Sequence, residues 1–226
     1  MMLKKILSAP NDSIGKTLVV ATALCIVCSV MVSGAAVIFR PMQTANKALD
    51  KKKNILQIAG LMEAGKSIDE QFKLVEPKLI DTTTGEYVDS IDAAIYDQRK
   101  AASDPKQNYM VPADKDKASI KRRAKYTSIY LVKDGDKIKT IILPVHGYGL
   151  WSTLYGFIAL KGDAKTVVGF GFYEHAETPG LGGEVDNPKW KAKWVGKQVY
   201  DEQGQVKINV IKGAVEANTP DAMHKV

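Results

Sequence analysis

From Thr17 to Phe39 the chain carries no charged side chain. A helix over this stretch reaches about 34 Å at about 1.5 Å per residue, against about 30 Å of bilayer hydrocarbon. Such a run is either a membrane anchor or the core of a cleaved export signal, and an export core is only about 7–15 residues long. Ser33-Gly34-Ala35-Ala36 resembles a cleavage site, but the apolar run continues through Val37-Ile38-Phe39 before Arg40 ends it. The anchor is the reading taken, with residues 1–16 as a short N-terminal segment and 17–39 as the transmembrane helix. Lys4, Lys5 and Lys16 lie before the span, and Arg40, Lys47 and Lys51 to Lys53 lie after it. The bias of basic residues toward the cytoplasm therefore leaves its orientation open. No acid lies within it, so this helix alone offers no carboxylate relay for an ion.

Beyond Arg40 the 226-residue chain has room for about one domain. The net charge is +7, with both signs interspersed after the span. No basic stripe is interleaved with aromatics, which argues against a nucleic-acid partner. Lys51-Lys52-Lys53 and Lys121-Arg122-Arg123 read as solvated faces, with a docking surface as the sharper alternative. Cys25 and Cys28 are the two cysteines, both inside the span. They suit packing against another helix; a metal or redox role would need further ligands.

Residues 40–125 read as helical and mixed. A helix over 44–63 has Ala48, Ile55, Ala59 and Met62 on one face. A second starts at the capping box Ser67-Ile68-Asp69-Glu70 and runs past Val75 until Pro77 stops it. A third covers 91–102, Ser103-Asp104-Pro105 breaks it, and a polar, lysine-rich stretch runs to Lys125. Residues 126–226 read as β-rich. Strands at 128–132 and 139–145 flank the hairpin signal Asp134-Gly135-Asp136. His146-Gly147-Tyr148-Gly149 turns the chain into strands at 150–160 and 166–173. Asn187-Pro188 opens a short helix carrying Trp190 and Trp194. Two last strands bracket Glu202-Gln203-Gly204, the second ending at Gly213. The fold class is α+β: one N-terminal transmembrane helix, then a domain with a mainly antiparallel sheet and flanking helices.

The candidate site is the loop Glu177-Thr178-Pro179-Gly180-Leu181-Gly182-Gly183-Glu184. Thr178 precedes proline and is pushed to an extended conformation, and Pro179-Gly180 suits the centre of a type II turn. Such a loop offers exposed N–H groups and one apolar side chain, Leu181. It is either a plain glycine turn or a cradle for a flat, hydrogen-bonding, anionic group. His146, His175 and His224 lack metal-ligand spacing, and His175 reads as an exposed strand-end residue. No nucleophile elbow, phosphate-gripping loop or dinucleotide fingerprint is present. What remains is Trp151, the glycine loop and Lys212, each at a strand end. If these meet, they supply a stacking indole, an apolar cap, backbone donors and a cation, which a flavin needs.

Several stretches carry a more specific resemblance. They are Asn11-Asp12-Ser13-Ile14, Tyr96-Asp97-Gln98-Arg99-Lys100-Ala101-Ala102, Tyr130-Leu131-Val132-Lys133-Asp134-Gly135-Asp136, Leu143-Pro144-Val145-His146-Gly147, Gly149-Leu150-Trp151-Ser152, the 177–184 loop and Trp194-Val195-Gly196-Lys197. Together they resemble the C subunit of the bacterial sodium-translocating NADH:quinone oxidoreductase. The loop alone is also shared with the G subunit of the related Rnf complex. The resemblance implies a single-pass inner-membrane protein with a cytoplasmic N-terminus and a periplasmic FMN-binding domain. FMN is joined in that family through its phosphate to a threonine by a flavin transferase. It passes single electrons between an iron–sulfur centre and an FMN on the B subunit, coupled to sodium export. Trp151, Thr178, Gly180, Leu181, Gly182 and Lys212 fall where the family holds its flavin. The chain itself makes or breaks no substrate bond.

One departure stands out. The family's acceptor threonine ends a Ser-Gly-Ala-Thr motif, and these 226 residues contain none. The expectation is that this form does not carry covalent FMN. The alternative functions are a membrane-anchored, non-redox assembly or sensor protein with a flavin-less domain, or the G subunit of the related Rnf complex.

Overall fold

The computed structural model describes residue 10 and residues 13–226. Residues 1–9, 11 and 12, most of the expected N-terminal segment, lie outside the described residues. The chain forms two compact units, one up to Leu49 and one from Asp50 to Val226.

Helix α1, Ile14–Ile58, runs 45 residues without a break and contains Pro41. The sequence suggests a span and then a separate helix from residue 44; the structure joins them. A proline inside a helix removes one N–H donor and crowds the preceding turn. Here the helix continues through it, and Thr44 Oγ1 donates to the Arg40 carbonyl at 3.0 Å. The apolar stretch is long and uncharged enough to cross a membrane, and none of its most apolar window is buried in the protein. A helix apolar on all sides needs lipid or other helices around it.

In the second unit the end of α1 turns from exposed to buried: Ile55, Leu56, Ile58 and Ala59 enter the core. It stops at Gly60, which takes φ +69°, and Leu61 N–H closes back on the Leu56 carbonyl at 2.9 Å. That glycine stop explains why the helix does not reach the expected residue 63. Helix α2, Ile68–Phe72, starts as the capping box predicts, with Ser67 Oγ accepting from Glu70 N–H. It does not run on to Pro77. Val75 instead opens strand β1, Val75–Asp81, with Pro77 opposite Tyr130 of the neighbouring strand. β1 is an edge strand, where a missing N–H costs nothing in the ladder.

Helix α3 covers only Gln98–Ser103, because Asp97 caps it by accepting from Arg99 and Lys100 N–H. The lysine-rich stretch holds a small two-stranded sheet, β2 (Asn108–Met110) against β3 (Arg122–Ala124). Strands β4 (Tyr126–Asp134), β5 (Lys137–Tyr148), β6 (Thr153–Lys161) and β7 (Val167–Glu174) follow. The five-stranded sheet has the order β1-β4-β5-β6-β7, and every pair is antiparallel. β5 runs on through His146 to Tyr148, so the turn expected at 146–149 falls later, at 149–152.

Alternation along the strands feeds two cores. On one face Tyr130, Val132, Ile142, Phe157 and Ala159 pack with Ile55, Leu56 and Ile58 of α1. On the other, Leu160, Phe170, Trp194 and Val199 pack together, with Trp190 beside them. Helix α4, Pro188–Ala192, begins where Asn187 accepts from Lys189 N–H, and it carries Trp190 into this second core.

The two expected C-terminal strands do not form. Only isolated bridges occur, Tyr200 with Val206 and Asn209 with Lys225. The Val199 carbonyl takes both Lys207 and Ile208 N–H, which replaces a regular ladder. Val206 and Val210 are exposed, while Ile208 between them packs beside the second core.

Candidate functional site

The end of β5, the start of β6 and the end of β7 lie at one end of the sheet, because β6 pairs with both neighbours. The 149–152 turn and the segment leaving β7 are therefore neighbours. Glu177 joins them. Its carboxylate accepts from the N–H groups of Leu150 at 3.3 Å, Trp151 at 3.1 Å and Ser152 at 3.2 Å. Ser152 Oγ in return accepts from Ala176 N–H at 2.8 Å. Glu177 is 9% exposed. The approach is close enough that a Cβ on Gly149 would sit 2.5 Å from Glu177 Oε1 and 2.4 Å from Leu154 Cδ1, so any larger residue there would have to displace the Glu177 carboxylate or the Leu154 side chain.

The loop beyond Glu177 has the turn its residues predict. Leu181 N–H donates to the Thr178 carbonyl at 3.1 Å and Gly180 takes φ +76°, as a type II turn over Pro179-Gly180 requires. Gly183 N–H also donates to Thr178 O. Among the described residues, the N–H groups of Gly180 and Gly182 have no acceptor in the chain. Three large apolar side chains stand out on the tied turns: Leu150 is 76% exposed, Trp151 66% and Leu181 74%. Thr178 is exposed between them in sequence.

The structure thus brings together the turn of Trp151 and the loop of Thr178, Gly180, Leu181 and Gly182. Lys212 is exposed next to Ile211, whose N–H donates to the Val226 carbonyl; the contacts that tie the two turns do not include it. Glu177, which does the tying, is missed by sequence reasoning. Nothing in the spacing says that a carboxylate opening a glycine loop reaches back to residues 150–152. His175 is also different from expectation: its side chain is 13% exposed and is bonded on both ring nitrogens.

An open pocket of about 300 Å³ adjoins the turns, lined by Val145, His146, Gly147, Tyr148, Leu154, Phe170 and Phe172. Tyr148 N–H donates to Ala118 O at 2.8 Å, which draws the lysine-rich stretch to this end of the sheet. Arg99 pairs with Glu174 at 2.8 and 2.9 Å and lies 3.7 Å from the Tyr155 ring centroid. His146 stacks on Tyr155 at 5.7 Å. Burial, and then the charges of Arg123 and Arg99, hold the His146 pKa below the usual histidine value.

This depression has a defined sign. The folded chain binds fewer protons at His146 than the unfolded chain does. The stability it contributes is fully present above the unfolded value of about 6.5 and is lost as pH falls through the lower folded value. Denaturant unfolding at pH 7.5 and pH 5.0 is expected to show a drop in stability on acidification. The drop is expected to be smaller in His146→Gln, and an equal drop in both proteins would assign it to other groups.

The residues present fit the ring of a flavin: the exposed apolar side chains Leu150, Trp151 and Leu181 on turns tied to one another, with free N–H donors on the glycine loop. These turns stand at one end of an antiparallel sheet, and the family model described as FMN-binding domain matches residues 149–220, which include both of them. The chain is 54% identical to the C subunit of Na(+)-translocating NADH-quinone reductase from Pseudomonas aeruginosa over 222 residues, covering 96% of this chain and 85% of that protein. It is 52% identical to the C subunit of the same enzyme from Vibrio vulnificus over 206 residues, covering 91% and 80%. The crystal structure of Shewanella oneidensis NqrC matches with a TM-score of 0.72 at 34% identity, covering 80% of this chain and 83% of that one. The chain belongs to the C-subunit family of Na(+)-translocating NADH-quinone reductases.

Proposed function

We propose that the chain relays single electrons through an FMN held at the turns 149–152 and 177–183, as the C subunit of a sodium-pumping NADH:quinone reductase. The observation that carries this reading is the Glu177 staple, which ties the turn bearing Trp151 to the loop bearing Leu181. When bound, FMN supplies one-electron redox chemistry. The chain's part is to hold it. The Trp151 indole and Leu181 pack on the ring faces and keep water off them. Thr178 Oγ1 and the N–H groups of Gly180 and Gly182 bond its polar edge. Lys212 is assigned the countercharge at the anionic end.

In this reading residues 1–16 are cytoplasmic, 17–39 cross the inner membrane, and the domain from residue 40 on lies in the periplasm. The partners are the other subunits of the complex, foremost the FMN-bearing B subunit and the iron–sulfur membrane subunits. Sodium export belongs to the assembled complex. The family relationship and the exposed apolar span support this placement.

Titrating FMN with the full chain in detergent tests the site. Flavin emission is expected to be quenched. Trp151→Ala is expected to weaken binding by about tenfold or more, the order of one aromatic stacking contact at about 1–3 kcal/mol. Leu181→Ala is expected to weaken it less. Emission that does not change on adding wild-type chain would overturn the site and favour a scaffold without flavin.

A further inference from the structure

We propose that His175 is a positioning residue for the two turns, acting through Glu177 as part of a hydrogen-bonded relay that starts at Asp186. This rests on the flavin reading above only for its purpose; the relay itself is a property of the loop.

His175 follows β7 directly and carries the chain into the glycine loop. Its Nδ1 lies 3.2 Å from the backbone N of Glu177. A ring nitrogen that receives an N–H carries no proton, so in this arrangement the ring hydrogen sits on Nε2. Nε2 lies 2.8 Å from Asp186 Oδ2. Asp186 ends the short 3-10 helix Gly182–Asp186 that closes the loop. Its other oxygen accepts from Lys191 Nζ of α4 at 3.0 Å.

One imidazole therefore ties the start of the loop to its end. The donor bond at Nε2 sets the tautomer, and the tautomer leaves Nδ1 as an acceptor for Glu177 N–H. Glu177 is in turn the residue whose carboxylate holds the N–H groups of Leu150, Trp151 and Ser152. The order of dependence runs from Lys191 and Asp186, through His175, to the backbone and then the side chain of Glu177, and ends at Trp151. The imidazole is 13% exposed and its partner Asp186 52%, so the ring itself is largely shielded from water while the carboxylate stays half open to it. The relay lies between the two elements that hold a flat ligand, yet no atom of His175 need touch that ligand.

Two substitutions separate the two ring nitrogens. His175→Asn places an oxygen near the position of Nδ1 and keeps the acceptor for Glu177 N–H. His175→Gln places an amide near the position of Nε2 and keeps only the donor to Asp186. Deuterium exchange of the full chain in detergent reads the amides of Leu150 to Ser152, with β4–β6 as an internal control for folding. The expected result is at least about tenfold faster exchange at 150–152 in His175→Gln, and near wild-type exchange in His175→Asn. Equal exchange in both variants, fast or slow, would overturn the relay. Should either variant fail to fold, ¹⁵N spectra of wild-type His175 decide the matter. A neutral ring protonated at Nε2 is expected, and one protonated at Nδ1 would overturn it. FMN emission recorded in parallel keeps the two readings apart. Wild-type chain that leaves FMN unquenched ends the flavin reading, while the exchange result at 150–152 still decides the relay.

Discussion

Replacing Phe157 with alanine is expected to lower the unfolding free energy by about 3–5 kcal/mol, the range for deleting a buried aromatic side chain. Phe157 is 1% exposed and sits near the middle of β6. Its ring meets Tyr130 of β4 edge-on at 5.8 Å and stacks on Tyr173 of β7 at 5.2 Å. Tyr130 meets Phe72 of α2 at 6.3 Å. One deletion thus opens a void between three strands and the helix layer, and the rigid sheet behind it cannot close to fill it. Phe157→Leu keeps much of the volume and is expected to cost about 1–2 kcal/mol. Denaturant melts of the chain in detergent check both. A loss below about 1 kcal/mol for the alanine variant would mean that the ring is not the centre of that core.

Replacing Glu177 with alanine is expected to cost about 2–4 kcal/mol and to abolish FMN quenching. Each hydrogen bond to a charged group is worth about 1.5–3 kcal/mol, and a buried donor left without a partner adds its own penalty. Three N–H groups lose their acceptor at once. The sum stays below three full bonds because Leu150 and Trp151 are largely exposed, so water can reach part of the freed turn. Glu177→Gln keeps one oxygen but turns an amide toward N–H groups, and it is expected to recover less than half of the loss. A Glu177→Ala protein that melts like wild type and still quenches FMN would show that the two turns hold their shape without the staple.

These two residues differ in how far the sequence announces them. Phe157 stands in an alternating strand pattern, and its burial follows from that alternation once the strand has a sheet beside it. Glu177 stands in a motif whose glycines and proline dictate a turn, but its partners are more than twenty residues away. The same contrast runs through the fold. Ser67, Asp97 and Asn187 cap helices through neighbours two or three residues on, so their roles are visible locally. Pro77 reads as a helix stop because proline usually is one. It is harmless in β1 only because that strand lies at the edge of the sheet, and edge position is a property of the assembled order. The stretch after Val199 alternates like strands, with Ile208 packed on the second core, and yet forms single bridges, since the Val199 carbonyl takes two successive N–H groups and interrupts the ladder.

Local chemistry by itself determined the uncharged span, the caps, the hairpin at Gly135 and the turn at Pro179-Gly180, because each depends on backbone preferences and on bonds a few residues long. Only the tertiary structure decided that the Trp151 turn meets the glycine loop, that Glu177 and His175 hold them, and that Lys212 stays outside those contacts. Those outcomes follow from which strands pair and at which register, and pairing joins groups whose separation along the chain carries no signal of their meeting.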